Sequence, residues 1–380
     1  MCIKKPFMNY VRYVAFFIVI ISAFYSCRKD EQIPSPSENG PTPYSIQIPK
    51  YFPTVLNIPS DNPMTVEGIK LGRYLFYDGR LCGKVDTLMS CATCHKQQYA
   101  FENGVGFGTG VTGIKTPHVM LPMINLVFNS SGYVWNGAVY KGSSAFIGPG
   151  TYGGNIEDVV WVVAGLVNEF HSDTNACKAA IQAIPMYSAM FKAAFGTETI
   201  TFKNIAKAIS QFVRTLISSD SKFDKYMRGE QNLTTSEMNG YVIFNTEKGD
   251  CFHCHGTILF TSNQFFNNAK DTIFTDPSDR YAVTFDPADH GAYKATTLRN
   301  IELTGPYMHD GRFTTLDQVI DFYSEGLVWS PYVSPFMKKV NDGGAQLTSS
   351  EKADLKAFLL TLTDNTFTTN PDFAKPADLP

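Results

Sequence analysis

Cysteine and histidine recur at one short spacing in this chain, as Cys91-Ala92-Thr93-Cys94-His95 and as Cys251-Phe252-His253-Cys254-His255, 160 residues apart. Two cysteines separated by two residues and followed at once by histidine form the pattern of c-type haem attachment. Each residue type is needed. The thiols add across the vinyl groups of the macrocycle, and the adjacent histidine is delivered to the iron as an axial ligand. A zinc knuckle or a redox CxxC would use the same cysteines. Zinc wants two further ligands nearby, and neither copy has a second Cys or His pair at the usual spacing. The repeat therefore predicts two covalently held haems, with His95 and His255 on the irons.

The elements that must position these pentapeptides also look duplicated. Before the first, Asn62 is a candidate cap, Pro63 suits a first helical position, and Ile69, Tyr74, Leu75 and Phe76 supply apolar residues. Before the second, Thr234-Thr235-Ser236-Glu237 has capping-box spacing, followed by Met238, Tyr241, Val242 and Phe244. Both stretches carry Gly-x-x-x-Phe, as Gly72 with Phe76 and Gly240 with Phe244. Between the sites, residues 157–169 are strongly apolar. Phe202, Ile205, Ala206, Ile209, Phe212, Val213 and Leu216 recur at helical spacing and predict one broad buried face. Thr348-x-x-Glu351 opens a last helix, with Leu355, Phe358, Leu359 and Leu362 inward. The glycine-rich 104–113 and the stretch 263–292 read as loops. The expected fold is mainly α, with two cytochrome c-like haem domains in tandem over residues 49–220 and 221–380.

Length, composition and charge allow this and exclude little else. A chain of 380 residues can bury two cores. Hydrophobic content of 44% and a net charge of −3 describe an ordinary globular protein, too little basic for nucleic acid. At the amino terminus, Lys4, Lys5 and Arg12 precede an apolar run from 14 to 24, the layout of a secretory signal. Cys27 follows directly after Phe24-Tyr25-Ser26, in a loose form of the bacterial lipobox. Residues 1–27 therefore read as a lipoprotein signal, Cys27 as the lipidated anchor to the membrane, and 28–48, rich in Pro and Ser, as a flexible tether. Cys82 and Cys177 remain, either paired or buried as free thiols.

The chain from about 50 to 365 resembles the bacterial dihaem cytochrome c peroxidase family, which includes the MauG proteins. The resemblance rests on Leu71-Gly72-Arg73-Tyr74-Leu75-Phe76-Tyr77-Asp78 with Arg80-Leu81, on Phe223-Asp224 with Tyr226 and Gly229, on Leu298-Arg299-Asn300, and on Thr304-Gly305-Pro306-Tyr307-Met308-His309-Asp310-Gly311. It implies a peroxidatic first haem on His95 and an electron-transfer second haem on His255, in a protein of the periplasm-facing cell envelope. The family's catalytic glutamate then falls on Glu169, in Val167-Asn168-Glu169-Phe170-His171, and its companion glutamine on Val159. Trp135, in Val134-Trp135-Asn136-Gly137, falls where the family places a tryptophan between the haems.

Two departures qualify the likeness. Residues 104–115 lack the histidine that closes the first haem in many members, and His118 stands where the family has arginine, so an open first haem is expected. The family's usual second-haem methionine falls on Tyr323, fourteen residues after His309, as in MauG-type proteins; Met308 and Met337 are the alternative ligands. The family's calcium would use carbonyls of Thr304 and Pro306, although its loop asparagine falls on Val119. The function implied is reduction of hydrogen peroxide to water with electrons from a small cytochrome c or cupredoxin. The alternatives are MauG-like oxidation of a partner protein and non-catalytic electron carriage. A homodimer is one assembly the resemblance allows.

Overall fold

Helix Val66–Tyr77 begins at Thr65, whose extended backbone and hydroxyl cap the first turn by accepting from Gly68 N. This is three residues later than expected from Asn62 and Pro63. The Asn62 amide is drawn elsewhere: it donates to the Glu157 carboxylate and to Lys207 O, deep in the fold. The second such helix, Thr235–Phe244, does start at the expected capping box, Thr234 with Glu237.

The computed structural model describes residues 40–84, 86, 88–143 and 153–380. The signal segment and Cys27 lie outside the described residues. The end of the stretch expected to be a tether is tied down: Thr42 N and Oγ1 both donate to Glu67, and Tyr44 N donates to Met64 O.

The architecture is mainly helical, with two small two-stranded sheets among the described residues. Helix Phe202–Arg214 buries the predicted face and packs on Val66–Tyr77, while Ser349–Leu360 packs on Thr235–Phe244. Two glycines permit these contacts: a Cβ on Gly72 would lie 1.9 Å from Ala208 O, and one on Gly240 would lie 2.0 Å from Asp354 O. The core side chains gather in two main clusters. One centres on Phe76, Phe101, Phe191 and Phe212, the other on Phe244, Phe260, Leu355 and Phe358. The carboxy-terminal Phe367 and Phe373 return to the first cluster, edge-on against Phe101 at 5.6 and 6.4 Å.

Three stretches differ from expectation. Residues 104–113 are half of a hairpin: Phe107–Thr109 pairs antiparallel with Lys115–Val119. Glycines and Pro117 hid it, yet each strand has only one partner, so a proline is tolerated at the open edge. The 263–292 loop is closed at its ends by Phe265–Phe266 pairing with Tyr293–Lys294 and holds a one-turn helix, Tyr281–Thr284. The apolar helix after the first site ends earlier than its composition suggested, at Ile156–Gly165, so Glu169 sits in a following turn. Among the described residues no helix is long and apolar enough to cross a membrane.

Candidate functional site

Ser90 and Thr93 cap one another at the start of the short helix Cys91–Cys94, which places Cys91, Cys94 and His95 along one wall of a cavity. Val159, Val163 and Phe170 add apolar lining, and the space holds about 800 Å³, open solvent at its mouth included. His95 Nδ1 donates to Phe101 O at 2.7 Å, which leaves Nε2 free to face the cavity. Phe101 holds φ +60°, an uncommon left-handed conformation for a bulky residue. Burial holds the imidazole neutral, lowered to about 4, against the opposing effect of the Phe101 hydrogen bond.

Glu169 reaches the same cavity from its turn. Val111 N, on the glycine-rich hairpin, donates to Glu169 O at 2.9 Å, and Thr112 Oγ1 donates to Val167 O at 2.7 Å. The hairpin thus clamps the turn. Among the described residues no side chain hydrogen-bonds the Glu169 carboxylate, and burial alone pushes it up to about 7.

The second cavity repeats the plan on a larger scale, with about 1660 Å³, its mouth included. Cys251, Cys254 and His255 line it, and His255 Nδ1 donates to Phe260 O at 3.0 Å. Phe260 too is left-handed, at φ +51°. Burial lowers His255 as well. Tyr323, Met308 and Met337 face the same space. Asn268 Nδ2 donates to Tyr323 Oη at 3.1 Å and points at Met308 Sδ at 3.6 Å. Burial raises the Tyr323 phenol.

The donor chemistry decides what these cavities hold. Burial pushes Cys91 up to about 12 and Cys94 to about 11, and Cys251 and Cys254 both to about 12. Such thiols are neutral within the cavity. Apolar walls of this size, a paired thiol edge and a histidine whose free nitrogen is fixed by a backbone carbonyl fit a flat macrocycle.

The family profile described as di-haem cytochrome c peroxidase matches residues 66–232. The crystal structure of a MauG-like protein associated with microbial copper homeostasis superposes with a TM-score of 0.77 at 33% identity, covering 88% of this chain and 99% of that one. This chain belongs to the di-haem cytochrome c peroxidase and MauG family. The methylamine utilization protein MauG of Methylorubrum extorquens is 28% identical over 80% of each chain. The cytochrome c551 peroxidase of Nitrosomonas europaea is 29% identical over 83% of this chain and 84% of its own. Membership implies two c-type haems.

Other residues singled out by the family resemblance fall as follows. Trp135 lines the second cavity rather than the first; its Nε1 donates to Val119 O at 2.8 Å, and its ring meets His309 edge-on at 6.4 Å. The segment carrying Val119 joins the two spaces, since Val119 to Pro122 line the second cavity and Met123 and Leu126 the first. His118 turns away from the first cavity: its Nε2 pairs with Asp276 Oδ2 at 2.7 Å. Thr304 and Pro306 line the second cavity. Cys82 and Cys177 are both buried, and the Cys82 thiol donates to Gly79 O at 3.4 Å. Sequence reasoning missed the Glu157–Arg214 and Asp224–Arg299 pairs. Both arginines are fully buried and grip their carboxylates with two hydrogen bonds each, at 2.8 and 2.6 Å and at 2.9 and 2.8 Å.

Proposed function

We propose that the chain reduces hydrogen peroxide to water at its first haem site, residues 49–220, and admits electrons through its second, residues 221–380, from a small cytochrome c or cupredoxin. The observation that carries this reading is Glu169, an unpartnered carboxyl held at about 7 on the wall of the His95 cavity. Haem bound there supplies the iron and the electrons for cleaving the O–O bond. His95 would hold it through Nε2. Glu169 accepts the proton of the near peroxide oxygen and returns it to the far one, which departs as water. At the second site His255 and Tyr323 would hold the haem iron, and Trp135, on the wall of that cavity, would pass electrons on to the first. Carbonyls of Thr304 and Pro306 are the seat this reading gives to calcium.

The test is peroxide consumption by the dihaem protein with a reduced small cytochrome or cupredoxin as sole electron source. Glu169→Gln should slow it by about 10²–10⁴ while both haems stay bound. An unchanged rate would remove Glu169 from the reaction. Tyr323 supports a second reading, MauG-like oxidation of a partner protein, in which the wild type barely turns over with such donors although Glu169 is still needed for reaction with peroxide. The same proposal puts the protein on the periplasmic side of the cell envelope through Cys27. Cys27→Ser should then move it from the membrane to the soluble fraction, and a wild type already soluble would refute the anchor.

A further inference from the structure

Tyr293 faces the second cavity from the short strand Tyr293–Lys294. Its ring stacks on that of His309, with centroids 3.5 Å apart and planes 14° from parallel. His309 in turn meets Trp135 edge-on at 6.4 Å. The rings of Tyr293, His309 and Trp135 therefore form one continuous path along the wall of that cavity. Backbone hydrogen bonds lock it in place. Lys294 N donates to Trp135 O at 2.8 Å and Val119 N donates to His309 O at 2.9 Å, while Trp135 Nε1 donates to Val119 O.

The phenol end of this path is equipped for proton transfer. Tyr293 Oη donates to Asp276 Oδ2 at 2.6 Å. The same oxygen pairs with His118 Nε2 at 2.7 Å, and Asp276 Oδ1 accepts from Ser278 N at 2.8 Å. Burial acts against the Asp276 carboxylate, yet the hydrogen bonds from His118, Tyr293 and Ser278 outweigh it and hold the group below the usual carboxylate range. Burial and the adjacent carboxylate raise the Tyr293 phenol, so it keeps its proton at rest. Removing an electron from a phenol reverses this order. The oxidised phenol is a strong acid, and it forms readily only where a base stands ready for the proton. A carboxylate oxygen already at hydrogen-bond distance is such a base. A purely structural hydrogen bond would satisfy Asp276 equally well, but it would not require a phenol stacked on the ring that leads to Trp135.

We propose that Tyr293 is a redox-active relay beside the second haem, giving up one electron through His309 and Trp135 while its phenol proton passes to Asp276. The direction of that electron, toward the first site, rests on the peroxide reduction proposed above. Hydrogen peroxide is then the oxidant, and its reduction to water takes two electrons and two solvent protons. Without a bound donor, Tyr293 supplies one electron and the second haem iron the other. The O–H bond of Tyr293 breaks and an O–H bond forms at Asp276 Oδ2. An electron from the donor protein, with return of that proton, restores the phenol.

The experiment mixes oxidised dihaem protein with equimolar peroxide in the absence of donor, freezes it at a series of times and records EPR spectra. A tyrosyl radical is expected, identified by its narrowing when the tyrosines carry ring deuterium. The chain has 19 tyrosines, so variants decide which one is oxidised. Tyr293→Phe keeps the ring that stacks on His309 and should abolish the signal. Asp276→Asn keeps the shape but loses the base, and should slow radical formation by about 10²–10⁴. Haem content is measured in each protein. A second arm replaces peroxide by a photogenerated ruthenium(III) polypyridyl oxidant, which needs neither Glu169 nor peroxide cleavage. A Tyr293-dependent radical in this arm alone would uphold the relay and refute peroxide reduction at the first site. A tyrosyl signal from neither oxidant, one undiminished in Tyr293→Phe, or one formed as fast in Asp276→Asn would overturn the proposal.

Discussion

The two haem-site halves share a scaffold and differ in what they point at the iron. In each, a glycine lets one helix touch another, at Gly72 on Ala208 and at Gly240 on Asp354. In each, a phenylalanine with positive φ, Phe101 or Phe260, turns its carbonyl to the histidine Nδ1. The correspondence continues through Tyr133-Val134-Trp135-Asn136-Gly137 and Tyr307-Met308-His309-Asp310-Gly311, where Val134 and Met308 both have positive φ. Trp135 and His309 are thus counterparts, and their rings meet. The next helix starts at Asn155 in one half and Thr315 in the other. Counting from those caps, Val163 occupies the place of Tyr323, and each lines its own cavity. An apolar valine cannot ligate iron, whereas a phenol oxygen can. The scaffold fixes the histidine side in both halves; in the function proposed above, the residue at this place on the next helix, Val163 or Tyr323, leaves the first iron open and closes the second.

The comparison can be broken at several depths. Replacing Cys91 and Cys94 by Ala should remove one haem from the intact mass, and replacing Cys251 and Cys254 should remove the other. A wild type carrying fewer than two would end the account. The next largest effect lies in pH. Because burial holds Glu169 near 7, its base form is lost as pH falls through about 7, so peroxide cleavage should fall toward acid. In Glu169→Gln the residual rate should lose that dependence, and a profile shared by both proteins would assign it to another group. Smaller, and a test of the shared scaffold, is the effect of Gly72→Ala and Gly240→Ala. Each should cost about 1–3 kcal/mol by crowding a backbone carbonyl, seen as a lowered Tm. If one is tolerated and the other is not, the two helix contacts are not equivalent.

Much of this was readable in the sequence, because chemistry-bearing residues were repeated. The pentapeptides, the Gly-x-x-x-Phe pair, the Thr234 and Thr348 boxes and the buried face of Phe202–Arg214 all appear as expected. What escaped depended on long-range contacts. Asn62 looks like a cap until the Glu157–Arg214 pair draws its amide away. Glu169 looks like the end of an apolar helix until the helix stops at Gly165 and a hairpin fastens the turn. That hairpin was hidden by glycines, whose freedom reads as loop. The likeness between Val163 and Tyr323 emerges only when the two helices are aligned by their caps, since the intervening segments differ in length.

The central claim is the unequal closure of the two irons, and the EPR spectrum of the oxidised dihaem protein tests it most directly. It should contain one high-spin signal from the first site, opposite His95, and one low-spin signal that changes in Tyr323→Phe. Two low-spin signals in the wild type, or a low-spin signal untouched by Tyr323→Phe, would contradict it.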